Sequence, residues 1–316
     1  MKKCLIIGIG GFIGSHLADF LLKQNFAIFG TVHRNTKNID HIKDSITIFE
    51  CDIRNKAQIE IIIYQIKPDY VYYLATQNFI SPSWEDPENT FITNILGTNN
   101  LLEAIRKTGT DPVIEVISSS AVYGMNFDNE IPIKENKEFR PLSPYAVSKI
   151  AVDMLAYLYW QTYKMKIIRI RPFNITGPRR TSDVCSDFTK GIAEIEAGRK
   201  QVLEVGNLES IRDVTDVRDA VHAMWLLSNK GHFGEAYNLC SGNGYKIKDI
   251  LDKLISLSKS NKIKIFQNSS KMRKIDDPLQ IGDNSKLRNL GWVPEIPIDQ
   301  TLADLLTYWR DNLEIN

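Results

Sequence analysis

The chain has few cysteines, and their placement excludes more than their number. Cys4, Cys51, Cys185 and Cys240 are far apart and form no CxxC pair, so neither a zinc site nor a disulfide framework is expected and no metal is assigned. A reducing, cytoplasmic setting is the simplest expectation. No hydrophobic run reaches the length needed to span a bilayer. The basic and apolar start MKKCLIIGIGGFIG resembles a secretory leader, but glycines interrupt it and an amphipathic stretch follows, so it reads as a first strand. Charge of one sign is also missing. Lys plus Arg (39) against Asp plus Glu (38) leaves a formal charge of +1, which gives no global field toward nucleic acid or an anionic membrane. An anionic ligand must therefore be held by local groups. Internal repeats and low-complexity segments are absent too, which removes solenoid and disordered architectures.

What remains is an ordinary globular composition, 43% hydrophobic over 316 residues, enough for a large core and a second lobe. Short β-branched runs near Cys4–Ile9, Ala27–Val32, Ile46–Cys51, Tyr70–Ala75, Val113–Ser118 and Lys166–Arg171 read as strands. Between them, Ile13–Lys23, Ala57–Ile66, Pro87–Arg106 and Pro144–Tyr163 carry helical periodicity. Alternation of this kind predicts an α/β fold with a doubly wound parallel sheet of the Rossmann type, both faces covered. After Pro178 the elements shorten, and a final helix is expected from Pro297 to about Leu313. The expected division is a dinucleotide-binding domain over 1–175 and a smaller, interlocked C-terminal α/β substrate-binding lobe over 176–316.

The segment GIGGFIG places Gly8, Gly11 and Gly14 three residues apart, with Phe12 and Ile13 between, at the first strand-to-helix junction. Glycine is required where the chain turns tightly, where backbone meets a pyrophosphate, and where helix presses on strand. The free NH groups of the helix start then face the phosphates. After the second strand, TVHRN offers Arg34 and no acid, which favours the 2'-phosphate of NADP(H) and leaves NAD(H) possible; Arg34 as a plain solvated loop residue is the competing reading. Asp52, followed by Ile53, would accept from and pack on adenine, or else cap a helix.

Ser119 ends the fifth strand in ISSSAVYG, and Tyr145 and Lys149 follow in SPYAVSK. Their four-residue spacing puts phenol and ammonium on one helix face. A phenol is a poor base at neutral pH; a neighbouring ammonium and a nicotinamide cation would bring its pKa down and allow proton exchange as hydride moves. Ser119 would hold the reacting carbonyl or hydroxyl in place.

Taken in order, GIGGFIG, Asp52-Ile53, Leu74-Ala75-Thr76, SSSAVYG, YAVSK and RPFNITGP (171–178) resemble the extended short-chain dehydrogenase/reductases, nucleotide-sugar branch. That resemblance implies Ser119, Tyr145 and Lys149 as the catalytic triad. It further implies Leu74, Ala75, Thr76, Tyr145, Lys149 and Pro172 at the cofactor, and Asn174 and Val184 at the substrate. VGNLESIRDVTDVRDAV, YNLCSG and MRKIDDPLQIGDNSKLRNLGW resemble the GDP-4-keto-6-deoxy-mannose reductases and the related GDP-mannose 4,6-dehydratases, in which Arg212 and Arg273 would hold the nucleotide phosphates. The competing reading pairs those arginines with Asp213 and Asp276.

Two departures stand out. The usual RPxD/E is Arg273-Lys274-Ile275-Asp276 here, and the dehydratases' glutamate two residues before the YG tyrosine is Ala121. Alanine accepts no proton, so reduction of a 4-keto group is favoured over the elimination that forms it. An epimerase that recycles its hydride and a catalytically silent nucleotide-binding scaffold are the alternatives. The resemblance also implies a homodimer built on a four-helix bundle, with Leu155, Tyr157 and Leu158 exposed on the Tyr145 helix. Segments 77–87 and 126–140 are expected to line or cover the site.

Overall fold

The structure, a computed structural model, describes residues 1–260, 262–272 and 275–313. The first half runs β1 (Lys3–Ile7), α1 (Phe12–Lys23), β2 (Ala27–Val32), β3 (Thr47–Glu50), α2 (Lys56–Ile66), β4 (Tyr70–Tyr73), α3 (Ile80–Glu85), α4 (Pro87–Phe91), α5 (Gly97–Thr108), β5 (Val113–Ile117), α6 (Pro144–Tyr163) and β6 (Ile167–Pro172). The second half adds β7 (Asn174–Thr176), α7 (Val184–Glu196), β8 (Val202–Val205), β9 (Ile211–Asp216), α8 (Val217–Lys230), β10 (Ala236–Leu239), β11 (Gly244–Lys246) and α9 (Ile247–Ser256). It ends with β12 (Lys264–Gln267), β13 (Leu279–Gln280), α10 (Ser285–Asn289) and α11 (Ile298–Asn312).

Alternation along β1 shows why the sheet needs helices on both sides. Cys4 and Ile6 point into a core shared with α1 and α8, while Leu5 and Ile7 point into one shared with α2, α5 and α6. All four are at most 1% exposed, and each buried Leu or Ile side chain contributes about 1.5–3 kcal/mol relative to exposure. The strands pair in parallel in the order β10-β6-β5-β4-β1-β2-β3, with Leu5 opposite both Phe29 and Val71. Strand order reverses between β1 and β4, where a crevice opens at the carboxyl ends.

The sheet has one strand more than the six expected. β10, whose last three residues open YNLCSG, joins the outer edge beside β6, and α8 packs beside α1. β10 follows the expected strands by a long stretch of chain and pairs with β6 across it, so no local pattern places it in the main sheet. A second departure is the helix expected over Pro87–Arg106. It is broken by a π turn at Ile92–Leu96 between α4 and α5, where the Asn94 side chain bonds outside the helix. Beyond the main sheet, β7, β9, β11 and β13 form a second sheet and β8 pairs with β12. α7, α9 and α11 pack around a separate apolar core that includes Phe188, Leu251 and Trp309. No described helix is long and apolar enough to cross a membrane.

Candidate active site

The crevice at the strand ends continues between the main sheet and the second lobe as a cleft of about 1300 Å³. Its floor is the glycine turn. Gly8 takes φ +92° and donates to Thr31 O at 3.1 Å, and a Cβ at Gly14 would lie 2.4 Å from the carbonyl oxygen of Gly8. A side chain at Gly14 would therefore force the α1 start away from β1. Gly11 precedes α1 with no side-chain cap, leaving the helix's first NH groups open to an anion. This bare, positively polarised cradle fits a dinucleotide pyrophosphate.

Gly8, Gly11, Phe12, Ile13, Gly14, Arg34, Asp52, Ile53, Leu74, Ala75, Thr76 and Pro172 all line this one cleft. So do Ser119, Tyr145, Lys149, Asn174, Val184 and Arg212; Arg273 lies outside the described residues. Asp52 does not cap a helix, because Asn55 caps α2 through Gln58 N at 3.3 Å. Its carboxylate is instead gripped by Arg54, Nη2 to Oδ2 2.6 Å, which holds its pKa below the usual range. Arg34 is exposed at the lip beside His33, with no acid at the end of β2.

Ser143 caps α6 by accepting from Ala146 N at 3.1 Å, and Pro144 opens the first turn, so the helix begins sharply one residue before Tyr145. Tyr145 is 9% exposed and Lys149 3%. Lys149 Nζ donates to Ile117 O at 2.9 Å and lies 5.9 Å from the Tyr145 ring centroid, while Ser118 Oγ donates to Lys149 O at 3.0 Å. Helix and strand end are thus tied together at Lys149.

The electrostatics correct the expected order of causes. Burial pushes the Tyr145 phenol up, opposed first by the Ser119 hydroxyl and then by the Arg180 guanidinium. Burial also pulls Lys149 down to about 7, so in the protein by itself the lysine is not a fixed cation that makes the phenol acidic. It is a group that exchanges a proton near neutrality.

Sequence reading missed Asn94. It is buried at the π turn, accepts from Thr76 Oγ1 and Gln77 N at 2.8 Å each, and donates to Ser148 Oγ at 2.9 Å. It joins the Leu74–Thr76 segment to the catalytic helix; only the helix break marks it, and periodicity reads straight through that break. Arg180 was missed as well, although it lines the cleft with its guanidinium 5.3 Å over the Phe12 ring. Of the two segments expected to line or cover the site, Gln77 to Pro82 line it. Residues 126–140 do not; Asn126 is bonded to Asp277 and Ile133 bridges to Gly282, so this loop packs on the C-terminal segment instead.

In the second lobe, Arg212 Nη2 donates to Asp276 Oδ1 at 2.7 Å and not to Asp213. Asp213 is fully buried and accepts from Ser241, Gly242 and Gly282 NH groups; burial raises it to about 6. Asn174 Nδ2 donates to Asp213 O at 3.0 Å. Ala121 lines the cleft from within the 3₁₀ turn Ser120–Tyr123, which Ser119 Oγ caps by accepting from Ala121 N at 3.1 Å.

A switch-point cleft over a glycine turn, with serine, tyrosine and lysine converging on it, is the architecture of the extended short-chain dehydrogenase/reductases. Within that class the chain belongs to the GDP-mannose 4,6 dehydratase family, whose model matches residues 5–305. It is 31% identical to the GDP-6-deoxy-D-mannose reductase of Pseudomonas aeruginosa, over 99% of this chain and 98% of that one. It is 29% identical to the GDP-mannose 4,6-dehydratase of Vibrio cholerae, covering 96% and 93%. Among solved structures, RMD from Pseudomonas aeruginosa complexed with NADPH superposes with a TM-score of 0.87 at 30% identity, covering 99% and 100%. The UDP-glucose 4-epimerase of Thermotoga maritima with UDP-glucose gives 0.90 at 26%, again covering 99% and 100%.

Proposed function

We propose that this protein reduces the 4-keto group of a GDP-linked 4-keto-6-deoxy sugar, with NADPH as the favoured reductant and NADH as an alternative. The observation that carries the reading is Ala121: the cleft wall beside the tyrosine and lysine holds no carboxylate where elimination of water would need a base. Four of the other cleft carboxylates are engaged, while Asp187 and Glu204 stand on α7 and β8 of the second lobe. Asp52 pairs with Arg54, Asp183 caps α7 and pairs with Arg180, Asp276 holds Arg212, and Asp277 accepts from Asn126. The similarity to a reductase over nearly the whole chain supports the same choice.

The residues divide the work. Gly8, Gly11 and Gly14 with the α1 start would hold the pyrophosphate, Arg34 the 2'-phosphate, and Ile53 with Leu74 to Thr76 the adenosine side. A bound reduced nicotinamide supplies the hydride. Ser119 hydrogen-bonds the ketone oxygen and fixes its direction. Tyr145 donates its proton to that oxygen as negative charge develops, and Lys149 returns a proton near neutral pH. Asn174, Val184 and Arg212 would hold the nucleotide sugar, with the guanidinium of Arg212 exchanging Asp276 for a phosphate.

Purified protein mixed with GDP-4-keto-6-deoxy-mannose and NADPH should oxidise the cofactor stoichiometrically, followed at 340 nm. No absorbance loss with any nucleotide-linked 4-keto sugar defeats the reading; a product isomeric with its substrate points to an epimerase instead.

The same reading places the protein in the cytoplasm as a homodimer. Tyr157 (41% exposed) and Leu158 (52%) lie on the outer face of α6, with Met154 and Val147 exposed on the same helix and Ile92 and Leu96 near the start of α5, whereas Leu155 turns partly into the core. Sedimentation should show a dimer for the wild type and a monomer for Leu158→Asp.

A further inference from the structure

Two carboxylates on the second-lobe wall of the cleft, Asp187 and Glu204, take no side-chain hydrogen bond or ion pair from any described residue. Their neighbours are all satisfied. Asp183, one turn earlier on α7, accepts from Ser186 N at 2.7 Å and from Arg180, and Asp276 accepts from Arg212, Ser210 and Asn207. An unengaged carboxylate facing a cleft requires water or a ligand donor to satisfy it.

Position separates the two. Asp187 stands three residues after Val184 in the first turn of α7, so the two side chains share a helix face; Val184 also lines the cleft and offers an apolar surface. An apolar surface with a carboxylate one turn away matches the two needs of a nucleobase, a wall for its flat face and an acceptor for its edge. Arg212, on β9 across the same cleft, is the cation for a diphosphate. With a sugar at Tyr145 and its diphosphate at Arg212, the base extends toward α7.

We infer that Asp187 reads the base of the bound nucleotide and selects guanine by accepting from its N1–H and its 2-amino group together. This rests on the nucleotide-sugar reading above and deepens it. Guanine presents two adjacent donors that a carboxylate accepts side by side. Uracil presents one donor flanked by carbonyl oxygens that the carboxylate repels, and adenine one amino group beside a ring acceptor. Hypoxanthine keeps N1–H but lacks the amine. Burial raises the Asp187 pKa, and the Lys271 ammonium is the first group to oppose that push and support the charged form that accepts both donors.

Titration calorimetry on the full chain, saturated with NADPH, with GDP, IDP, ADP and UDP as probes, tests this. Wild type should bind GDP about tenfold tighter than IDP, and tighter still than ADP or UDP, as loss of a charge-assisted bond requires. Asp187→Asn should shrink the GDP lead over IDP to within about threefold while retaining the wild-type melting temperature. Glu204→Gln should keep the full lead. A preference for GDP that survives in Asp187→Asn, or that disappears in Glu204→Gln, overturns the inference and leaves the proposed reaction standing. A wild-type protein that binds UDP as well as GDP removes the GDP-linked substrate class itself, and the inference with it.

Discussion

The two walls of the cleft are built on different physics. On the sheet side, Tyr145 and Lys149 are buried, held by a capped helix and by bonds that tie α6 to the end of β5. On the second-lobe side, the cleft is edged by ion pairs and unengaged carboxylates. Chemistry needs side chains fixed to fractions of an ångström in a site that sheds water, and burial supplies both. Recognition of a large polar ligand needs groups that can trade a protein partner for a ligand one, as Arg212 can trade Asp276 for phosphate. Damage to the first wall should therefore slow turnover, and damage to the second should weaken binding.

The largest effect that sharpens this contrast is expected from Tyr145→Phe. Loss of the proton donor should lower kcat by about 10²- to 10⁴-fold with KM little changed. A large rise in KM with kcat preserved would break the comparison. Arg212→Ala should do the reverse, raising KM by about 10- to 100-fold in steady-state assays with kcat within a few-fold. Asp276 then loses a partner, so a melting curve alongside the kinetics separates binding from folding.

Gly14→Ala comes next, because its Cβ would sit 2.4 Å from Gly8 O. Shifting α1 to relieve that contact should cost about 1–3 kcal/mol in denaturant unfolding and weaken cofactor affinity in fluorescence titration. The last expected effect is on pH dependence. Lys149 has a folded pKa of about 7 against an unfolded value of 10.5. Between those values the unfolded chain binds more protons, so this group makes stability rise with pH from about 7 to 10.5 and fall on acidification through that window. Thermal melts of wild type and Lys149→Met should diverge across that range, the variant lacking the rise; parallel curves would show that the lysine is not desolvated.

How legible each wall was in the sequence follows the same division. The catalytic wall is built from local patterns: a glycine spacing at one junction, a serine at a strand end, and a tyrosine and lysine one helical turn apart. Such patterns survive in a linear reading because strand and helix periodicity fix where each side chain points. Asn94 escaped because its role depends on a π turn inside a segment whose apolar spacing reads as one helix. The recognition wall escaped more completely. Arg212 could be assigned to Asp213 or Asp276 with equal sense by sequence, since both lie in polar segments, and only the fold buries Asp213 beneath three backbone NH groups and leaves Asp276 for the arginine.

By itself the sequence determined the parallel α/β layering, the glycine turn and the meeting of Ser119, Tyr145 and Lys149 at one cleft, because each follows from spacing along a single element or junction. Tertiary structure alone decided that β10 completes the sheet, that Lys149 titrates near 7, and which cleft carboxylates are engaged. Those depend on burial and on partners many residues away, and a one-dimensional pattern carries neither.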